Sequence, residues 1–363
     1  TVDWFLEITK ELAKELNQNI KITLLKCSQS KKNINKAFLS KNLSPLNNAP
    51  KISSNKIINC TNIVGLAGVE QITEAINTNA DIIICGRSTD ASLIASLPIM
   101  NGVDKAVAWH AGKIGECGAF CTTNPKSGVI LISFKKNGFF IKPVSNNTKV
   151  TPYTVSAHMV YENSNPFTLI EPGGCLDVKK AIYKKQKDGS VYVTGANWVQ
   201  DYNYKIKLEG THVVGYQSIS MVLIRDESYV KNINKWSKQI KNKVNEIIEN
   251  SLSLKKKSYE IQFRFIGKNA TLGSLERKNL EPNEIGVLVI VTAKKQYECE
   301  EISKILNPLL LHHSIYKKRE LPTFSFPLSP PSFKIGKKYE FCLNHVMSLQ
   351  NPMDIFKLEK YSI

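Results

Sequence analysis

Residues 81–121, DIIICGRSTDASLIASLPIMNGVDKAVAWHAGKIGECGAFC, constrain the fold more than any other stretch. Residues 81–85 hold four apolar side chains, three of them Ile, and β-branched runs of that length predict a buried strand. A Gly86-Arg87 turn follows. Ser88, Thr89 and Asp90 then precede an apolar run, in the manner of a helix cap. Strand, tight turn and helix in that order belong to open α/β sheets, where ligands bind beyond the carboxyl ends of the strands. Free N–H groups at such a helix start face an anion well. A second part of the segment gathers His110, Lys113, Glu116 and Cys117 within about two helical turns.

The flanking sequence supports the same architecture. Residues 2–16 have apolar side chains near helical spacing, and residues 20–25 read as a strand. Residues 28–54 are polar, with Pro45 and Pro50, and read as loop. Residues 56–64 read as a strand, 69–77 as a helix, and the strand 81–85 follows after a short join. That succession predicts parallel pairing. Trp109 to Ala119 reads as a further helix despite its glycines. From Gly128 the texture changes. VILISF and GFFIKPV predict a hairpin, and residues 151–161 a helix with Pro152 at its first position. Strands are predicted at 191–194, 204–208 and 218–225. A lysine-rich helix at 230–252, strands at 259–266 and 285–293, and a helix at 297–312 follow. The expected fold class is α/β, a mostly parallel sheet flanked by helices, followed by a smaller α+β region. The expected domains are residues 1–228, carrying the site, and residues 229–363.

Charge and cysteine usage narrow the function. A net charge of +18 invites a nucleic-acid reading, but only five of the 49 basic residues are Arg. The lysines are scattered among Asn and Ile, whereas nucleic-acid readers concentrate Arg and interleave aromatics. No nucleic-acid partner is expected. No apolar run approaches the roughly 18 residues of a membrane span, and the opening residues carry acids among their apolar side chains, unlike a leader peptide. Eight cysteines form no CxxC and show no zinc-like spacing, so reduced thiols, no metal and a cytoplasmic location are expected. The absence of GxSxG, Walker A and GxGxxG patterns argues against a serine hydrolase of the usual kind, a P-loop NTPase and a dinucleotide enzyme. No cofactor is required by the sequence.

Candidate site residues follow from residue chemistry. Gly86, Arg87 and Asp90 form a substrate-binding turn in which a guanidinium fork and helix N–H groups hold a carboxylate or phosphate. The competing role is a plain cap with Arg87 paired to Asp90. His110, Lys113 and Cys117 share one helical face with Glu116 at its side. His110 and Glu116 suit proton transfer, and Lys113 suits an oxyanion; the competing role is an amphipathic helix with Lys113 solvated. Gly112, Gly115 and Gly118 weaken that helix by about 1 kcal/mol each and need a reason, such as close approach of backbone or ligand. Glu171-Pro172-Gly173-Gly174 offers a carboxylate fixed beside two bare backbone positions, with Glu171, Gly173 and Gly174 as substrate-binding candidates. An ordinary surface turn is its alternative. Lys207 and Glu209 project to one face of a strand as a solvated pair.

Taken together, ADIIICGRSTDASLIASLPIM, AWHAGKIGECGA, TPYTVSAHMVYENSNPFTLIEPGG, YKIKLEG with GYQSI, and FSFPLSP with YEFCLNHV resemble the acyclic terpene utilisation (AtuA) protein family, in register over residues 55–346. The resemblance implies an α/β domain with a further α+β part, in pathways for acyclic terpenes, branched acids and other carboxylic acids. The resemblance carries no reaction with it. The clustered Arg87, Asp90, His110, Lys113, Glu116 and Glu171, with no redox or nucleotide signature, suit an enzyme acting on a small carboxylate or acyl-CoA by hydration, elimination or isomerisation, as a lyase, hydratase or isomerase. Family members usually carry a longer glycine-rich amino-terminal region and an NAGG-like segment after the first helix. Here the chain opens at Thr1, as a fragment or trimmed product would, and residues 24–35 read LLKCSQSKKNIN. The alternative expectation is therefore a non-catalytic or degenerate subunit of a larger enzyme assembly. The expected partners are the small substrate and either a second copy of the chain or a partner subunit.

Overall fold

A computed structural model of the chain describes residues 2–277, 281–317 and 320–363. In chain order the elements are α1 (Val2–Glu15), β1 (Lys21–Lys26), α2 (Lys31–Leu39), β2 (Leu43–Pro45), α3 (Ser54–Ile58), β3 (Asn62–Gly65), α4 (Val69–Ile76), β4 (Ile82–Cys85), α5 (Asp90–Met100) and α6 (Lys105–Gly115). There follow β5 (Ile130–Lys135), β6 (Gly138–Pro143), α7 (Pro152–Ala157), β7 (Thr168–Glu171), β8 (Gly174–Asp177), β9 (Ile182–Lys185), β10 (Val191–Thr194), β11 (Asn197–Gln200) and β12 (Lys205–Ile224). The last are α8 (Glu227–Lys231), α9 (Ile233–Ser251), β13 (Tyr259–Ile266), β14 (Ile285–Ala293), α10 (Gln296–His312), β15 (Ser332–Ser348) and β16 (Lys357–Ser362). Two compact units result: Thr1–Thr211 with Phe341–Ile363, and His212–Glu340. The chain divides inside β12, between Thr211 and His212; the boundary expected from the sequence lay further on, at 228/229.

The expected mostly parallel sheet does not form. The one parallel ladder among the described strands joins β1 to β4, from Ile22↔Ile82 to Leu25↔Cys85. Even there β16 closes the other edge of β1 antiparallel. Antiparallel ladders build the four-stranded β5-β6-β10-β9 sheet and the three-stranded β11-β8-β7 sheet. In the first unit, β3 pairs antiparallel with the start of β12 (Gly65↔Leu208), and β2 with the end of β15 (Pro45↔His345). The short joins around α4 decide which elements are consecutive. They do not decide which strands share a ladder, and β3 takes its partner from far along the chain.

Two other expectations change. The polar stretch 28–54 contains α2, held by buried Ile34 and Ala37. The strand expected at 56–64 divides into α3, capped by the Ser53 hydroxyl, and the shorter β3.

In the second unit, β14 lies between β13 and the end of β12, both antiparallel. Val287, Val289 and Val291 of β14 meet Trp236, Ile240 and Val244 of α9 and Ile302, Leu306 and Leu310 of α10 in one core. The alternation along β14 and the helical spacing along α9 and α10 produce this core directly. In the first unit, α5 and α6 pack as a helical pair above the two antiparallel sheets. Trp109 stacks on Trp198 at 5.3 Å between ring centroids, within a core that includes Phe139, Ile141, Val191 and Val193.

Candidate functional site

The turn between β4 and α5 is pinned by backbone. Ala67 N–H donates to the Arg87 carbonyl at 3.0 Å, and Thr89 N–H donates to the Ala67 carbonyl at 3.0 Å. Gly86 has no room for a side chain, since a Cβ would stand 2.9 Å from Cys27 Cβ and 3.1 Å from the Leu25 carbonyl oxygen of neighbouring β1. Asp104 caps α6 by accepting from Val107 N–H. The glycines of α6 have a packing reason: a Cβ on Gly112 would lie 2.4 Å from the Ala91 carbonyl oxygen of α5, and one on Gly115 2.8 Å from Ile94. Close helix approach, not a ligand, accounts for them.

That approach draws charged side chains inward. Lys113 is almost fully buried rather than solvated. Its ammonium donates to the Glu116 carboxylate and to the Tyr161 carbonyl oxygen, the latter at 2.7 Å. Burial raises the Glu116 carboxyl above its ordinary range, and the charges of Asp90 and Glu162 add to the rise against the opposing pull of Lys113. Glu171, at the end of β7, is the most perturbed carboxyl. Burial pushes it up to about 8, opposed by the Thr89 hydroxyl and by Lys113 and reinforced by Glu116 and Asp90. Thr89 Oγ1 and Glu171 Oε2 are both buried without a hydrogen-bond partner of good geometry. Glu116 and Glu171 therefore both lie in the field of the Lys113 ammonium, and burial first, with the neighbouring carboxylates adding to it, favours the protonated form of Glu171 near neutral pH.

The turn after β7 is built for this position. Gly173 has φ +79°, a left-handed conformation that favours glycine, and it lies against the Tyr204 ring and Glu70. Tyr204 Oη donates to Glu70 Oε2 at 2.9 Å and to Gln71 Oε1 at 3.1 Å. Gly174 lies tight under the Trp198 ring and the Val199 carbonyl of β11, a requirement of strand pairing. His158 joins the cluster without having been singled out from sequence. It is buried, stacks on Tyr161 with 5.2 Å between centroids, and burial and then the Lys113 charge hold it down to about 4. Its position in TPYTVSAHMV at the end of a short helix offered no spacing to link it with Lys113.

Arg87 does not form the expected pair with Asp90. Its Nε donates to Glu209 Oε2 at 3.2 Å, and Lys207 Nζ holds Glu209 Oε1 at 2.8 Å. The pair expected to be solvated thus anchors Arg87, whose side chain remains half-exposed. A cleft of about 750 Å³ opens at the carboxyl ends of β1 and β4, lined by Lys26, Ser28, Cys85, Gly86 and Arg87 and bordered by Phe5. A narrower cleft of about 320 Å³ adjoins the same turn, with Arg87, Ser88, Asp90 and Leu93 in its wall. Asp90 is the shared element: it lines this cleft and acts electrostatically on both Glu116 and Glu171.

His110 stands apart. It lies in an apolar surround against Phe139 and Tyr183, with Nε2 3.0 Å from Tyr183 Oη, and burial alone lowers it to about 3. Among the described residues, no group of three or more His, Cys, Asp or Glu is placed to hold a metal ion. No described helix is long and apolar enough to cross a membrane.

The family model for acyclic terpene utilisation family protein AtuA matches residues 4–317. No curated protein and no solved structure matches the chain.

Proposed function

The chain belongs to the acyclic terpene utilisation (AtuA) family, and on that premise we propose that it is a cytoplasmic enzyme of carboxylic-acid catabolism. In this reading it moves a proton on a small carboxylate or acyl-CoA, by hydration, elimination or isomerisation. The observation that carries the reading is the Glu171 carboxyl, protonated near neutral pH beside the Lys113–Glu116 ion pair. Environments that push neighbouring carboxyls apart separate an acid from a base. Arg87 and the Gly86 turn hold the substrate's anionic group in the cleft, and Asp90 leads from the cleft to the carboxyls. Glu116 takes the proton next to the carbonyl. Lys113 offsets the enolate-like charge, and Glu171 returns a proton to the product or to a departing hydroxyl. His110 has no part in this path, because its imidazole is committed to Tyr183.

A thermal-shift series on the full-length chain with short carboxylic acids and acyl-CoA compounds tests the proposal, since a ligand that binds only the native state raises Tm. A stabilising ligand lost on Arg87→Lys supports it. No stabilisation by any of these compounds between pH 6 and 9 removes it.

The second reading is a non-catalytic subunit that assembles with a partner or with itself. Phe120, Tyr153 and Val160 favour it: all three are exposed around a groove of about 330 Å³, and clustered exposed apolar side chains are a feature of interfaces. A monomer at working concentration that turns over substrate unaided excludes this reading.

A further inference from the structure

Two buried thiols meet in the first unit. Cys60 lies in the turn between α3 and β3, and Cys342 lies on β15, 282 positions further along the chain. Their Sγ atoms are 3.0 Å apart, and both side chains are buried among Ile57, Ile63, Leu208 and Leu343. Carbon atoms in optimal contact are about 3.5–4.0 Å apart, and sulfur is larger. Two sulfurs at this spacing are therefore well inside ordinary packing distance, and about 1 Å from a bond of roughly 2.05 Å.

Rigid elements hold them there. Thr61 N–H donates to the Thr211 carbonyl oxygen at 2.7 Å, which fixes the backbone beside Cys60. On the other side, a Cβ on Gly210 would stand 2.9 Å from Leu343 Cβ, so the backbone beside Cys342 lies close against β12. Pairing of His345 with Pro45 holds the same strand further along.

We propose that Cys60 and Cys342 form a reversible intramolecular disulfide when a disulfide oxidant is present, closing the returning segment Phe341–Ile363 onto the first unit. In a reducing compartment the pair rests as two thiols. With a small disulfide such as oxidised glutathione as oxidant, one cysteine thiolate attacks it, forming a mixed disulfide and releasing one glutathione thiolate. The second cysteine thiolate attacks the bonded cysteine sulfur and expels the other glutathione. The cysteines lose two protons and two electrons, and two glutathione thiols carry them away. Burial pushes the Cys342 thiol up to about 12, so closure belongs to folding or to transient opening of β15. The returning segment also supplies the Pro352 and Ile355 carbonyl oxygens that receive the Gln71 and Gln29 amides at 2.6 and 3.0 Å. The bond would hold these contacts in place.

The test equilibrates the full-length chain in mixtures of reduced and oxidised glutathione, both folded and refolded from urea. Alkylation in denaturant and peptide mapping by mass spectrometry follow. The expected result is loss of two of the eight alkylatable thiols, a peptide cross-linked through Cys60 and Cys342, and a higher Tm that dithiothreitol reverses. Eight alkylated thiols in both arms under oxidising conditions would overturn the proposal. So would a cross-link at Cys27 and Cys85 in its place. Cys342→Ala should abolish the cross-link, and the wild-type map decides the matter even if that variant does not fold.

Discussion

Glu171 and Arg87 are both ionisable, and their surroundings set them opposite tasks. Glu171 has a folded-state pKa of about 8 against 4.5 for the ordinary group. The native state therefore binds its proton more tightly than the unfolded chain does. The contribution to stability is fully present below about pH 4.5 and is lost as pH rises toward 8, with a slope approaching ~1.4 kcal/mol per pH unit. Glu171→Gln should remove that slope. Urea unfolding of both proteins from pH 4.5 to 8.5 measures it, and parallel curves would show that Glu171 is not perturbed. Arg87 is half-exposed and bound to Glu209 through Nε alone, so replacing it should cost little in the free protein. Arg87→Lys keeps the charge but loses the fork. Carboxylate affinity should fall by about 1–3 kcal/mol while the ligand-free Tm stays within a degree or so. A lowered ligand-free Tm with unchanged affinity would make Arg87 structural.

The pair α5 and α6 is the element on which the charged cluster depends. Their separation is set by Gly112 against the Ala91 carbonyl oxygen. Gly112→Ala isolates two opposing effects. Helix propensity favours Ala by about 1 kcal/mol, whereas the new methyl would meet backbone that cannot turn aside. Overpacking of this kind costs about 1–3 kcal/mol, so the variant should be destabilised overall. Because the helices must part, Lys113 and Glu171 should also lose their registration, and any ligand-induced rise in Tm should shrink. A urea midpoint equal to or above wild type would show that the two helices have slack.

At the scale of the whole molecule, the carboxyl-terminal residues belong to the first unit. β16 pairs with all six residues of β1, and Leu343, Leu349 and Phe356 enter the core containing Leu25, Ile63 and Leu208. Deleting residues 341–363 exposes that edge and empties those positions. Large-to-small changes at such sites cost about 2–5 kcal/mol each, so the first unit should not fold in the truncated chain. Fluorescence of the stacked pair Trp109 and Trp198 should change to that of solvated indole. A truncated chain with a native-like Trp109 and Trp198 signal would show that the segment is dispensable.

The sequence alone determined what is local. The extent of α1, the hairpin β5–β6, Pro152 opening α7 and the strand–turn–helix of Ile82–Met100 were legible, because periodicity, caps and turn residues act within a few positions. The family was legible for a related reason: its long runs stand in order along the chain. The direction of the sheets was not. An Ile-rich strand has the same pattern whether its neighbour runs with it or against it, and β3 found its partner in β12, while β1 gained β16 from the chain end. The site divided along the same line. Spacing put Lys113 and Glu116 together, one helical turn apart. It could not bring Glu171 to them, turn Arg87 from Asp90 to Glu209, bury His110 against Tyr183 or add His158. Those outcomes rest on desolvation and on contacts between distant segments. Tertiary packing decides which charges lose their water, and with it which carboxyl keeps its proton.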